Sequence, residues 1–137
     1  MGKTAAAIKL AQTFRTEIVS ADSRQIFKEL TIGTAKPSEA ELALVPHHFI
    51  NTHSITDDFD AAQYGRDALA LTESLFRKHD AVILCGGSGL YIRAVCEGFD
   101  DIPDVPSEVR EKLIQDYEDK GIEWLQEQMR QLDSEHL

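Results

Sequence analysis

The sequence predicts an α/β fold: a mainly parallel sheet with flanking helices, continued by the start of an all-helical insert. Three observations carry this expectation. Strand-like and helix-like segments alternate through the first two thirds of the chain, the pattern of a parallel sheet with crossover helices. Ala81-Val82-Ile83-Leu84-Cys85 is an unbroken apolar run, which fits a parallel strand covered on both faces. Beyond Pro103 and Pro106 the apolar spacing becomes purely helical. A chain of 137 residues is long enough for one domain with a real core and too short for two full ones.

Each element has its own local reason. Gly2 to Phe14 is alanine-rich and predicts a helix, with Ile8, Leu10, Ala11 and Phe14 available for burial. Glu17-Ile18-Val19-Ser20-Ala21 reads as a short strand with Asp22 at its carboxyl end. Ser38 followed by Glu41 is a capping-box pattern, so a short helix is expected from there towards Val45, where Pro46 stops it. His48-Phe49-Ile50 is a weaker strand candidate. Asp60 can cap a longer helix, in which Tyr64, Ala68, Leu71, Thr72, Leu75 and Phe76 recur at helical spacing. The apolar strand at 81–85 breaks into Gly86-Gly87-Ser88-Gly89, and helical sequence resumes at Leu90. Val109, Leu113 and Tyr117 form one late stripe and Leu125, Met129 and Leu132 another, with Gly121 between them; a helical hairpin is expected.

Composition sets bounds on function. Hydrophobic residues at 42% and charged residues at 28% are ordinary for a soluble globular chain. No apolar run approaches the roughly 20 residues of a membrane span, and the opening Met1-Gly2-Lys3-Thr4 is not read as a signal peptide. Cys85 and Cys96 form no metal-type cluster and are expected to be buried reduced thiols. The net charge of −10 argues against a nucleic-acid partner on composition alone. Most of the excess acid, however, lies between Glu97 and Leu137.

Four places could carry chemistry. Gly2-Lys3-Thr4 at a helix start is the tail of the phosphate-binding pattern G-x-x-x-x-G-K-[ST], with an N-terminus that carries no function as the alternative. A helix N-terminus offers N–H groups and a favourable dipole to phosphate, the lysine neutralises charge, and a threonine hydroxyl can hold Mg²⁺. Asp22 sits where ligands bind in open α/β sheets. A carboxylate there can take a proton from a nucleophile or simply cap the next segment. Ser23, Arg24 and Gln25 follow with a hydroxyl, a cation and an amide. Ser88, in the glycine-rich turn, puts a further hydroxyl at a helix start, where a plain structural turn is the alternative. His47, His48 and His53 lack the companions of a zinc site and are expected to be structural or solvent-facing. The stripe at Trp124, Leu125 and Met129 reads as helix packing.

Taken in order, these segments resemble the tRNA dimethylallyltransferase family, also called tRNA isopentenyltransferases. The resemblance runs through Gly2-Lys3-Thr4, Ile18-Val19-Ser20-Ala21-Asp22-Ser23-Arg24-Gln25 and Ile32-Gly33-Thr34-Ala35-Lys36-Pro37. It continues through Val45-Pro46-His47-His48 and Gly86-Gly87-Ser88-Gly89-Leu90-Tyr91-Ile92-Arg93-Ala94. It implies that Gly2, Lys3 and Thr4 grip the pyrophosphate of dimethylallyl diphosphate, with Thr4 on Mg²⁺. Asp22 is implied to be the general base on the exocyclic amine of the adenine 3′ of the anticodon. Ser88 stands where the family usually has threonine and keeps a role near the reacting centre. Asp22, Ser23, Arg24, Gln25, Ser88 and Arg110 are implied to contact tRNA.

The same resemblance divides the chain into a partial P-loop catalytic core, 1–104, and the start of a helical tRNA-binding insert, 105–137. It implies a cytoplasmic monomer. The family's preceding strand and first half of the P-loop are not in this sequence, nor is its downstream arginine-bearing segment. The chain as written is therefore expected to be inactive. A small-molecule P-loop kinase and a non-catalytic tRNA-binding remnant are the rival readings.

Overall fold

In the computed structural model, residues 2–100, 103 and 105–133 are described. The order is α1 (Lys3–Phe14), β1 (Ile18–Ser20), α2 (Glu39–Leu44), β2 (His47–His48), α3 (Ala61–Phe76), β3 (Ile83–Cys85), α4 (Gly89–Cys96) and α5 (Ser107–Leu132). The chain divides into two compact units, Met1–Phe99 and Asp100–Leu137.

In the first unit, three strands form a parallel sheet in the order β2-β1-β3. Ile18 pairs with His47 on one side and with Ile83 on the other. Successive side chains of a strand point to opposite faces, and β1 uses both. Ile18 packs with Ala7, Ile8 and Ala11 of α1 and with Val45. Val19 packs on the opposite face with Tyr64, Ala68 and Leu75 of α3 and Tyr91 of α4. That double burial is why the strand is apolar apart from Ser20. The helices α3 and α4 approach closely because Gly65 lies against Ala94: a Cβ on Gly65 would come within 2.9 Å of the Ala94 methyl.

The caps behave as the residue types demand. Ser38 Oγ accepts from Glu41 N–H while the Glu41 carboxylate accepts from Ser38 N–H, a complete capping box. Asp60 Oδ1 accepts from Gln63 N–H at the start of α3. The second strand is shifted from its expected place. It holds His47 and His48 only, since Phe49 and Asn51 turn into positive φ. Ahead of β1, Glu17 ties distant segments together. Its carboxylate accepts from His48 Nε2 at 2.6 Å and from His79 Nε2 at 3.1 Å. The His48 hydrogen bond, more than the one from His79, holds the Glu17 carboxyl below the usual range against the opposing effect of burial.

Three burial expectations need correction. All of Ile83, Leu84 and Cys85 are only half-buried. Among the described residues β3 pairs with β1 alone, so its other edge is not covered by a neighbour. Leu10, Phe14 and Phe76 are exposed, because an apolar helix position is buried only where another element covers it. Both cysteines are free, but Cys85 is half-buried and Cys96 exposed, because Cys96 ends α4 beyond the packed face.

The second unit contains α5, broken at Gly121, whose φ of 77° and ψ of −177° are non-helical. Two helical segments thus meet where the sequence placed a glycine. None of the residues of α5 is buried, and Val109, Leu113, Tyr117, Met129 and Leu132 are exposed. Trp124 carries Lys120 Nζ at 4.6 Å from its ring centroid. Among the described residues no helix is long and apolar enough to cross a membrane.

Candidate active site

The carboxyl ends of β1 and β3 each run into a turn, and the two turns are bonded together. Ser88 N–H donates to the Ala21 carbonyl at 3.1 Å. Ser23 N–H donates to Ser88 Oγ at 2.8 Å, and Ser88 Oγ donates to Ser23 Oγ at 3.0 Å. Ser88 stands at the N-cap of α4 without making a side-chain cap bond there; its hydroxyl is turned to the neighbouring turn instead. Gly86 makes the approach possible. A Cβ there would lie 1.9 Å from the Ala21 carbonyl oxygen, an impossible overlap.

Asp22 has two differently employed oxygens. Oδ1 accepts from Arg24 N–H at 2.9 Å and Gln25 N–H at 3.2 Å, closing the turn that follows β1. Oδ2 faces Gly87, as does Lys3 Nζ. A methyl group on Gly87 would lie 3.3 Å from Oδ2 and 3.5 Å from Nζ. The capping and chemical readings of Asp22 are therefore compatible: one oxygen caps, the other faces the lysine side of the site. Lys3 Nζ also makes a long 3.4 Å contact to the Gly86 carbonyl. Gly2, with φ of 113°, is the N-cap from which α1 starts.

Thr4 lines a small pocket of about 30 Å³ with Ala7, Ser20, Gln25, His47 and Cys85 among its walls. Gln25 is half committed to structure. Its side-chain amide donates to the Thr34 and Ala35 carbonyls at 2.9 and 3.0 Å, pinning the loop that ends at Pro37. Lys36 is likewise taken up by the Phe27 carbonyl and Asn51 Oδ1 at 2.7 and 2.6 Å. Arg24 is exposed. The fold thus gathers Lys3, Thr4, Asp22, Ser23, Gln25 and Ser88 at one end of the sheet, while Arg110 belongs to the second unit.

Sequence reasoning missed the aromatic support beneath this end. Tyr64 is fully buried and donates its hydroxyl to the Ser20 carbonyl at 2.9 Å. Tyr91 stacks on it at 4.2 Å between centroids, and Phe49 meets it edge-on at 5.1 Å. Burial, with the carboxylates of Asp60 and Asp22 nearby, pushes the Tyr91 hydroxyl up; burial and Tyr91 do the same to Tyr64. Both rings stay protonated at neutral pH. Helical spacing marked Tyr64 as a packing residue, but nothing in the pattern says that its hydroxyl reaches β1. His47 is structural in part, its Nδ1 lying 2.7 Å from the Val45 carbonyl, and His53 packs on Phe59.

Residues 25–137 match the family described as IPP transferase. The chain belongs to that family. A tRNA dimethylallyltransferase of Flavobacterium johnsoniae is 52% identical over 136 residues, covering 99% of this chain and 44% of the relative. The tRNA dimethylallyltransferase 1 of Phocaeicola vulgatus is 49% identical over 99% of this chain and 45% of its own length. Among solved structures, the full-length tRNA isopentenylpyrophosphate transferase of Bacillus halodurans superposes with a TM-score of 0.69 at 29% identity. That match covers 98% of this chain and 45% of the other. This IPP transferase chain therefore spans less than half the length of the relatives it matches. The α/β architecture with its small parallel sheet is that of its structural neighbours.

Proposed function

We propose that this chain carries the reaction centre of a tRNA dimethylallyltransferase, which moves a dimethylallyl group from its diphosphate to the exocyclic amine of the adenine 3′ of a tRNA anticodon. The observation that carries the reading is the arrangement of Asp22 Oδ2 and Lys3 Nζ around one open spot at Gly87, in a family whose relatives bear that name. A base and a phosphate-type cation on either side of one space suit a displacement at carbon.

In the proposed step the amine nitrogen forms a bond to the first carbon of the dimethylallyl group while the bond from that carbon to the bridging oxygen breaks. The diphosphate leaves with the electron pair, and the proton lost by the amine goes to Asp22 Oδ2. Removing that proton raises the nucleophilicity of a poor amine. Lys3 and the N–H groups at the start of α1 stabilise the leaving charge. Ser88, bonded to Ser23, holds the two turns in register around the base. The adenine is expected to be flipped out of the anticodon loop to reach this end of the sheet. Ser23, Arg24, Gln25 and Arg110 are the proposed tRNA contacts, Gln25 through the part of its surface that its loop bonds leave open.

The residues present fit a Mg²⁺ ion held mostly by its substrate. Among the described residues there is no cluster of three His, Cys, Asp or Glu that could hold a metal. Mg²⁺ is commonly bound by one or two protein oxygens with phosphate and water completing the shell, and Thr4 offers the hydroxyl. When bound, the ion would neutralise charge on the departing diphosphate. Residues 1–104 are proposed as the catalytic core and 105–137 as the opening of the helical insert. The setting proposed is a cytoplasmic monomer, with the free thiols Cys85 and Cys96 suited to a reducing compartment.

Transfer of a radiolabelled dimethylallyl group to unmodified tRNA by the full-length protein tests this reading. Labelled tRNA that loses its label when the target adenine is replaced supports it. No labelling, with either phosphorylation of a small molecule or tRNA binding alone, overturns it.

A further inference from the structure

Gly86 and Gly87 are adjacent, yet the fold needs only the first. Gly86 has no room for a side chain, because its Cβ would overlap the Ala21 carbonyl. Gly87 is different on every structural count. It is exposed, and its φ lies outside the left-handed region that favours glycine. A Cβ there would meet no backbone: within 4 Å it would find only Asp22 Oδ2 and Lys3 Nζ, the ends of two charged side chains. An L-residue at 87 is therefore allowed by the main chain and resisted only by the site.

We propose that Gly87 sets the clearance of the reaction site: carrying no side chain, it keeps open the space between Asp22 Oδ2 and Lys3 Nζ that the acceptor amine enters. This rests on the functional reading above and adds to it a residue that excludes or admits substrate. A methyl group at 3.3 Å from Oδ2 is tighter than ordinary contact, so the carboxylate must shift by a few tenths of an ångström. The contact to Nζ at 3.5 Å is ordinary. The base is thus disturbed more than the phosphate-binding lysine. A misplacement of ~1 Å at a reacting centre costs about 10²-fold in rate, so a shift of a few tenths of an ångström costs several-fold.

The test compares Gly87→Ala with Gly86→Ala in the full-length protein. Gly87→Ala should keep the melting temperature, lose about three- to tenfold in kcat, and leave KM for dimethylallyl diphosphate within about twofold, since the lysine contact is ordinary. Gly86→Ala should fail to fold. A second readout does not need turnover. The carboxyl carbon signal of Asp22 in the NMR spectrum should move in Gly87→Ala and stay in place in Leu90→Ala, a change at a nearby exposed side chain. Normal kcat in Gly87→Ala, or a fall in kcat matched by a fall in melting temperature, overturns the proposal. So does an unmoved Asp22 signal. Absence of transfer by the unsubstituted protein sinks the functional reading instead, while the Asp22 signal still decides the clearance.

Discussion

Asp22 is placed so that one side chain can serve the fold and the proposed chemistry together. Its Oδ1 is saturated by two backbone donors, Arg24 N–H and Gln25 N–H, which fixes the carboxylate and leaves Oδ2 aimed at Gly87. Asp22→Asn preserves an oxygen for those donors. We therefore expect it to keep the fold and diphosphate binding while losing about 10²–10⁴-fold in transfer, the usual worth of a general base; near-normal single-turnover rates would reduce Asp22 to a cap. Lys3→Ala should weaken dimethylallyl diphosphate binding far more than tRNA binding. Arg24→Ala and Arg110→Ala should do the reverse, with a shallower dependence of tRNA affinity on salt because fewer counterions are released. Titrating both ligands into all three variants at two salt concentrations checks this partition, and equal losses throughout would refute it. The place of Asp22 just beyond a strand was legible in the sequence, because the apolar run before it marks the strand. The division of labour between Oδ1 and Oδ2, and the use of the Gln25 amide to hold Thr34 and Ala35, depend on loops closing in space and leave no mark in spacing.

Elements were readable wherever a local rule decided them. The Ser38–Glu41 box, the Asp60 cap and the break at Gly121 all stand where the sequence placed them, because capping and backbone strain act within a few residues. Ser38→Ala should accordingly cost about 1 kcal/mol, the usual value of an N-cap, measured as a lower denaturant midpoint with an unchanged slope. A larger loss would mean that α2 supports more of the unit than its lack of buried residues suggests. Burial was less legible. The run from Ala81 to Cys85 looks equally apolar whether one edge or two are paired, so sequence alone could not reveal that β3 is half-buried. Leu10, Phe14 and Phe76 mislead for a related reason: helical spacing identifies an apolar face only when another element covers it.

At the scale of the whole molecule, Glu17 joins β1 to β2 through His48 and to the end of α3 through His79. Its carboxyl titrates lower in the folded state than in an unfolded chain. The charged form is therefore favoured by folding: the contribution is present above the ordinary glutamate range and disappears as pH falls through the folded value. Thermal unfolding of Glu17→Gln and the unsubstituted chain should differ near pH 6–7, and the difference should close towards about pH 3, below the ordinary glutamate value of about 4.3. A gap that persisted unchanged at low pH would show that Glu17 acts through packing and not through its charge. The bond between Ser23 and Ser88 spans 65 positions along the chain, as does that between Thr16 and Ala81. Closing so long a loop costs entropy before any contact repays it. We therefore expect the turns that hold Ser23 and Ser88 to meet late in refolding, after α3 has formed and β3 lies beside β1. During synthesis the same spacing means that Asp22 leaves the ribosome well before the turn that completes its surroundings exists.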